Sequence, residues 1–102
     1  MNRFQIQNIN EQTSKQEEEK TETISTLPFK VILFNDDWHT FEEVIIQLIK
    51  ALKCSVAKAT SYAFEAHVQG SAVIFTGELG QCLKITSILD EIALQTEIVS
   101  EK

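Results

Sequence analysis

Proline and glycine are scarce in this chain, one and three among 102 residues. So few glycines leave no Gly-rich loop of the kind that cradles a phosphate. Cysteine is scarce as well. Cys54 and Cys82 stand apart, with no CxxC and no histidine at metal-ligand spacing beside them, and they read as small, reduced core residues. Positive charge is the minority. Nine Lys and Arg face fifteen Asp and Glu, a net charge of −6, which disfavours nucleic acid and anionic membrane surfaces and suits a basic or cationic partner. No stretch approaches the ~20 apolar residues of a membrane span. The opening MNRFQIQNIN lacks the apolar core of a signal peptide. The expectation is a soluble cytoplasmic protein, monomeric by default.

What is present is an ordinary globular composition, 43% hydrophobic and 24% charged. It is unevenly arranged. Residues 1–26 are rich in Glu, Gln, Thr and Ser and almost free of large apolar groups. Such a segment cannot bury enough surface to offset the entropy of ordering it, so a flexible N-terminal arm is expected. Leu27-Pro28 marks the boundary of one small domain, 27–102.

Within that domain, Phe29–Phe34 (FKVILF) alternates as a strand with Phe29, Val31 and Leu33 on one face. Thr40 followed by Glu43 is a capping-box pattern, and Phe41, Val44, Ile45, Leu48 and Leu52 recur at helical spacing over 41–53. Ser55 caps a second expected helix, about 55–67, with Val56, Ala59, Tyr62, Ala63 and Ala66 inward and Gly70 as its stop. Ala72–Thr76 is a second strand, 78–93 a third helix through Ile85, Ile88, Leu89 and Ile92, and Thr96–Ser100 a last strand. The order β-α-α-β-α-β predicts an α+β domain: a small three-stranded antiparallel sheet packed on three helices.

The chemistry concentrates where the first strand ends, in Asn35-Asp36-Asp37-Trp38-His39. Asn-Gly or Asp-Gly would suffice for a plain turn. In an extended backbone the two aspartates point to opposite sides, a poor arrangement for an acid–base pair that must face one substrate atom. A carboxylate, an amide oxygen and an imidazole nitrogen all accept hydrogen bonds, and together they suit an ammonium group. Solvation of the loop and charge compensation at a helix N-terminus account for the same residues equally simply. His39 and His67 lack HxxxH or HxH spacing, so no metal site is expected. No serine lies in a GxSxG elbow and neither cysteine has a histidine nearby, so no nucleophilic enzyme is expected either, and no cofactor.

Taken together, "KVILFNDD" at 30–37, "AHVQG" at 66–70 and "FTGE" at 75–78 resemble the ClpS family, adaptors of the bacterial Clp protease, over about residues 27–99. That resemblance implies a non-enzymatic adaptor. It would bind proteins whose first residue is a bulky N-degron (Phe, Tyr, Trp or Leu) and deliver them to an unfoldase of the ClpA or ClpC type that feeds ClpP. It places the α-amine clamp on Asn35, Asp37 and His67, with Asp36 in support. It places the side-chain pocket on Leu33, His39, Phe41, Val44, Ala63 and Ala66, and the unfoldase contact on Glu78 and Lys84. Where the family often reads NDDYTPM, this chain reads NDDWHTF, so His39 replaces a Thr and Phe41 a gatekeeping Met. Ala63 and Ala66 stand where Met and Val are common. A pocket at least as roomy as usual, favouring aromatic first residues, is the expectation. The alternative is a domain of the same fold that docks on the unfoldase as a regulator without binding N-degrons.

Overall fold

A computed structural model of the protein describes residues 28–100. The expected arm at 1–26 lies outside the described residues. The elements run β1 (Phe29–Phe34), α1 (Phe41–Leu52), α2 (Val56–Gln69), β2 (Ser71–Gly77), α3 (Leu79–Asp90) and β3 (Thr96–Ser100). This is the expected β-α-α-β-α-β order. The sheet is antiparallel throughout, with strand order β2-β1-β3.

Placing β1 in the centre follows from its sequence. It is the most continuously apolar of the three strands, and only the central strand is paired along both edges. Val31 and Leu33 point into the core, 0% and 1% exposed, and Phe29 packs against it. The pairing with β2 contains a bulge. Val31 is opposite Phe75 and Ile32 opposite Val73, so Ile74 is the extra residue. The bulge lets Ala72 and Phe75, three residues apart, both lie opposite inward-facing residues of β1, with Ile74 buried between them. The helices cover this face with Leu48, Ala59, Ala63, Cys82, Ile85 and Leu89. Cys82 fits between α3 and the sheet as a small residue, with its thiol toward the carbonyls of Phe29 and Gly77. Burial raises its pKa. Both cysteines are free thiols.

The helix starts follow the sequence closely. Thr40 caps α1 with the full reciprocal box: its hydroxyl accepts from Glu43 N–H at 3.1 Å, and the Glu43 carboxylate accepts from Thr40 N–H at 2.9 Å. Ser55 caps α2 by accepting from Lys58 N–H. The helix ends depart from the sequence reading. Among the described residues three close helices or turns in the left-handed region, and only Gly70 (φ 95°) is a glycine; Lys53 (φ 58°) and Ala93 (φ 62°) are not. Lys53 therefore caps α1 instead of extending it. α3 stops at Asp90, not at 93, because Ala93 turns left-handed and Leu94 N–H bonds back to the Leu89 carbonyl. α2 runs two residues beyond the expected 67, to Gln69, and β2 gains Ser71 and Gly77. Two expected core residues are not in the core. Val56 begins α2 and is 64% exposed, and Phe41 is 42% exposed.

Gly70 anchors the local geometry of the site. Its N–H caps α2 at the Ala66 carbonyl, and no atom lies near where a Cβ would sit. Gly70→Ala therefore costs only the left-handed backbone. A loss of about 1–2 kcal/mol in urea unfolding, with an unchanged m-value, is the expected result.

Candidate functional site

The loop from Asn35 to Thr40 contains neither glycine nor proline and is held by hydrogen bonds instead. One Asp36 carboxylate oxygen accepts the backbone N–H groups of Trp38 and His39, both at 3.0 Å. The other oxygen meets His39 Nδ1 at 2.8 Å. On the far side of the ring, His39 Nε2 faces the backbone carbonyl of Ile92. A carbonyl only accepts, so Nε2 carries a proton. A carboxylate only accepts, so Nδ1 carries the other. The ring is thus built to be an imidazolium. The hydrogen bond to Asp36 raises the His39 pKa; burial opposes the rise, and the Ile92 carbonyl adds to it. For Asp36, burial disfavours the charge. The His39 N–H, the His39 ring and the Trp38 N–H outweigh it and hold the carboxyl below its ordinary value.

Two backbone bonds place this loop against its neighbours. Asn35 N–H donates to the Gly70 carbonyl at the end of α2, and Phe34 N–H donates to the Gln95 carbonyl beyond α3, both at 3.0 Å. The first brings the end of β1 beside the last turn of α2, where His67 lies. Phe41, from the first turn of α1, meets the His67 ring edge-on, with centroids 5.8 Å apart and planes at 83°.

These elements surround a cleft of ≈ 260 Å³. That is smaller than the ~300–1,000 Å³ of pockets for drug-sized ligands and suits a single amino-acid side chain. Apolar walls come from Leu33 on β1, Val44 on α1, and Ala63 and Ala66 on α2. Asn35, Asp36 and Asp37 line it from the loop, and His39, Phe41 and His67 complete the set. All ten residues expected for the amine clamp and the side-chain pocket therefore line one cleft. Among the described residues, no hydrogen bond occupies the side chains of Asn35, Asp37 or His67, whereas Asp36 is fully engaged within the loop. Asp37 is exposed. Trp38 is 88% exposed and takes no part in the cleft.

Two lining residues escaped the sequence reading, Phe34 and Leu94. Phe34 is half-buried, and strand alternation sets it opposite Leu33, away from the core. Leu94 follows the left-handed Ala93, and an apolar residue just past a helix carries no sign of which site it faces. The two residues expected at an unfoldase contact lie apart from the cleft. Glu78 is the N-cap of α3, with no side-chain capping bond. Lys84 is on the same helix, and both are exposed. At ~100° per residue they sit about a third of a turn apart in azimuth. Among the described residues no group of three His, Cys, Asp or Glu is placed to hold a metal ion, and no helix is long and apolar enough to cross a membrane.

Comparison with known proteins bears on this geometry. The family model described as ATP-dependent Clp protease adaptor protein ClpS matches residues 25–97. The chain is 42% identical over 55 residues to the ATP-dependent Clp protease adapter protein ClpS of Salmonella gallinarum, covering 52% of each. It is 34% identical over 70 residues to the E3 ubiquitin-protein ligase UBR1 of Drosophila melanogaster, covering 68% of this chain but 4% of the ligase. It thus spans about half of the first relative and a small part of the second. Among solved structures, Agrobacterium tumefaciens ClpS2 bound to L-phenylalaninamide superposes with a TM-score of 0.67 at 28% identity, covering 72% of this chain and 96% of that one.

The His39 arrangement has a pH signature. A folded-state pKa above the unfolded value means that the Asp36–His39 interaction stabilises fully below the ordinary histidine value of ~6.5 and is lost as pH rises through the folded value. NMR titration should place the His39 midpoint above ~6.5, and Asp36→Asn should lower it. The wild-type Tm should fall as pH rises through that midpoint. A His39 midpoint at or below ~6.5 would refute the doubly donating ring.

Proposed function

The chain belongs to the ClpS family of ATP-dependent Clp protease adaptor proteins, and we propose that its cleft holds the first residue of proteins that begin with Phe, Tyr, Trp or Leu. Such proteins would then pass to a Clp unfoldase of the ClpA or ClpC type and on to ClpP. The role is binding, with no chemical step. The observation that carries this reading is the pairing of three polar side chains that are unoccupied among the described residues, Asn35, Asp37 and His67, with the apolar walls of one cleft of side-chain size. A free α-amine, with a pKa near ~7.7–8.0, is mostly an ammonium at neutral pH and donates three hydrogen bonds. The Asn35 amide oxygen, the Asp37 carboxylate and a His67 ring nitrogen are three acceptors. Asp36 supports them from behind by fixing the loop. The bound L-phenylalaninamide of the Agrobacterium relative, an aromatic residue with a free amine, is a ligand of the required kind.

Leu33, His39, Phe41, Val44, Ala63 and Ala66 would receive the side chain. The two alanines leave the room that an aromatic ring needs, so aromatic first residues are favoured over Leu. Delivery would use the exposed Glu78 and Lys84 on α3 as the unfoldase contact. The adaptor domain would be 27–102, with residues 1–26 serving transfer.

Fluorescence anisotropy with a labelled peptide beginning with Phe tests this directly. N-acetylation removes the charge and two donors, and should weaken binding by about 10²-fold or more. Asp37→Asn and His67→Ala should each weaken the free-amine peptide and narrow the gap to the acetylated one. Equal binding of the two peptides would end the amine-clamp reading. No binding of either by folded protein would leave a domain that only docks on the unfoldase.

A further inference from the structure

His39 lines the cleft and also a second, outer depression with Glu43, Ile46, Gln47 and Ile92. Its ring is therefore a partition between two open spaces. Both nitrogens are engaged, Nδ1 by Asp36 and Nε2 by the Ile92 carbonyl. No N–H remains to donate to a ligand. What the ring offers the cleft is its carbon surface, and that surface carries positive charge because both nitrogens are protonated. A cation with no free N–H gains nothing specific from an alkyl group. It attracts the negative face of an aromatic ring.

We propose that His39 is a specificity-determining residue, a fixed imidazolium wall that selects aromatic first side chains over aliphatic ones of the same size. The inference rests on the amine-binding reading above and goes beyond it, since room alone would admit either kind of side chain. Among the described residues the charged groups around His39 are few. Asp36 pairs with it from the loop at 2.8 Å. Glu43 faces it from α1 across the outer depression, with its carboxylate held at the Thr40 N–H. Asp37 and His67 share the inner cleft, and the turn after α3 contributes only the Ile92 carbonyl. Asp36 and Glu43 both favour the charged ring. The side chain of His39 is 15% exposed, so water reaches the ring only in part, and the Asp36 carboxylate offsets its charge from the side of Nδ1 while leaving the ring face toward the cleft.

The test compares two free-amine peptides that differ only in the first residue, Phe or cyclohexylalanine. These side chains have similar bulk, but only one has a π face. The clamp at the α-amine is common to both, so the ratio of their Kd values cancels the contributions of Asn35, Asp37 and His67 and the titration of the amine itself. At pH 6 the ratio should favour Phe by about two- to fivefold. It should shrink toward one as pH rises through the His39 midpoint measured by NMR. His39→Asn, which keeps one side-chain N–H toward Asp36 but no charge, should give a ratio near one at every pH. Circular dichroism and the NMR spectrum establish that this variant is folded. His39→Gln, with its amide N–H on a longer stem, is a second neutral replacement and should behave alike. If both peptides bind wild type with a ratio near one at pH 6, or if the wild-type preference survives in both neutral variants, the proposal falls and the amine clamp stands. If neither peptide binds, the amine clamp falls and takes the proposal with it.

Discussion

The Asp36 carboxylate is the fastening on which the rest of the site depends. It accepts three hydrogen bonds, two from the backbone and one from the His39 ring. The loop between β1 and α1 has no glycine or proline to shape it, so this one side chain supplies its internal order. Its neighbour has the opposite fate. Asp37 is exposed and, among the described residues, engages no hydrogen-bond partner through its side chain. Two adjacent aspartates thus differ in state, one engaged and one open, because the chain bends after Asp36 and brings the Trp38 and His39 N–H groups onto its carboxylate alone. The engaged one holds the loop so that the other keeps a fixed position.

The loop is tied to the rest of the molecule through carbonyls near the ends of other helices. Gly70 caps α2, and Ile92 follows α3. Carbonyls at helix ends lack an intrahelical partner and need one. Asn35 N–H satisfies the first and His39 Nε2–H the second. The same bonds therefore complete two helix ends and set the distance from β1 to α2 and to the turn after α3. Elsewhere on that side, the exposed Lys50–Glu91 pair at 2.8 Å contributes little beyond local geometry. Lys50, helped by Gln47, lowers the Glu91 pKa.

The cleft exists because α2 presents small residues where a core helix would present large ones. Ala63 and Ala66 are buried, 4% and 3% exposed, yet they line the cleft instead of filling it. A sealed void of that kind would carry a cavity cost. Opening it to solvent between α1, α2 and the loop avoids part of that cost and leaves an accessible volume. Phe41 is 42% exposed at the rim for the same reason. Its helical spacing matches the core face of α1, but at the first position of the helix that face looks into the cleft and onto His67.

The element order, the two capped helix starts at Thr40 and Ser55, the inward face of β1 and the stop at Gly70 are all local properties, and periodicity with turn chemistry expressed them in the residues themselves. "NDDWHTF" and "AHVQG" pointed to a junction and a helix end that the fold brings together, and the resemblance they carry named ten residues that share one cleft. Helix ends at Lys53 and Ala93 stayed hidden, because lysine and alanine are ordinary helix residues and only packing pushes them left-handed. Phe34, Leu94 and the partner of His39 stayed hidden for a related reason. His39 and Ile92 are 53 residues apart, and nothing along the chain marks a backbone carbonyl as the acceptor for a distant ring. Residue order along the chain sets which groups are available: acceptors at the end of β1, small side chains on α2, a histidine before α1. Their states come from the folded arrangement. It engaged Asp36 and left Asp37 open, and it closed both nitrogens of His39, because hydrogen-bond partners are assigned by proximity in space, which chain order does not encode.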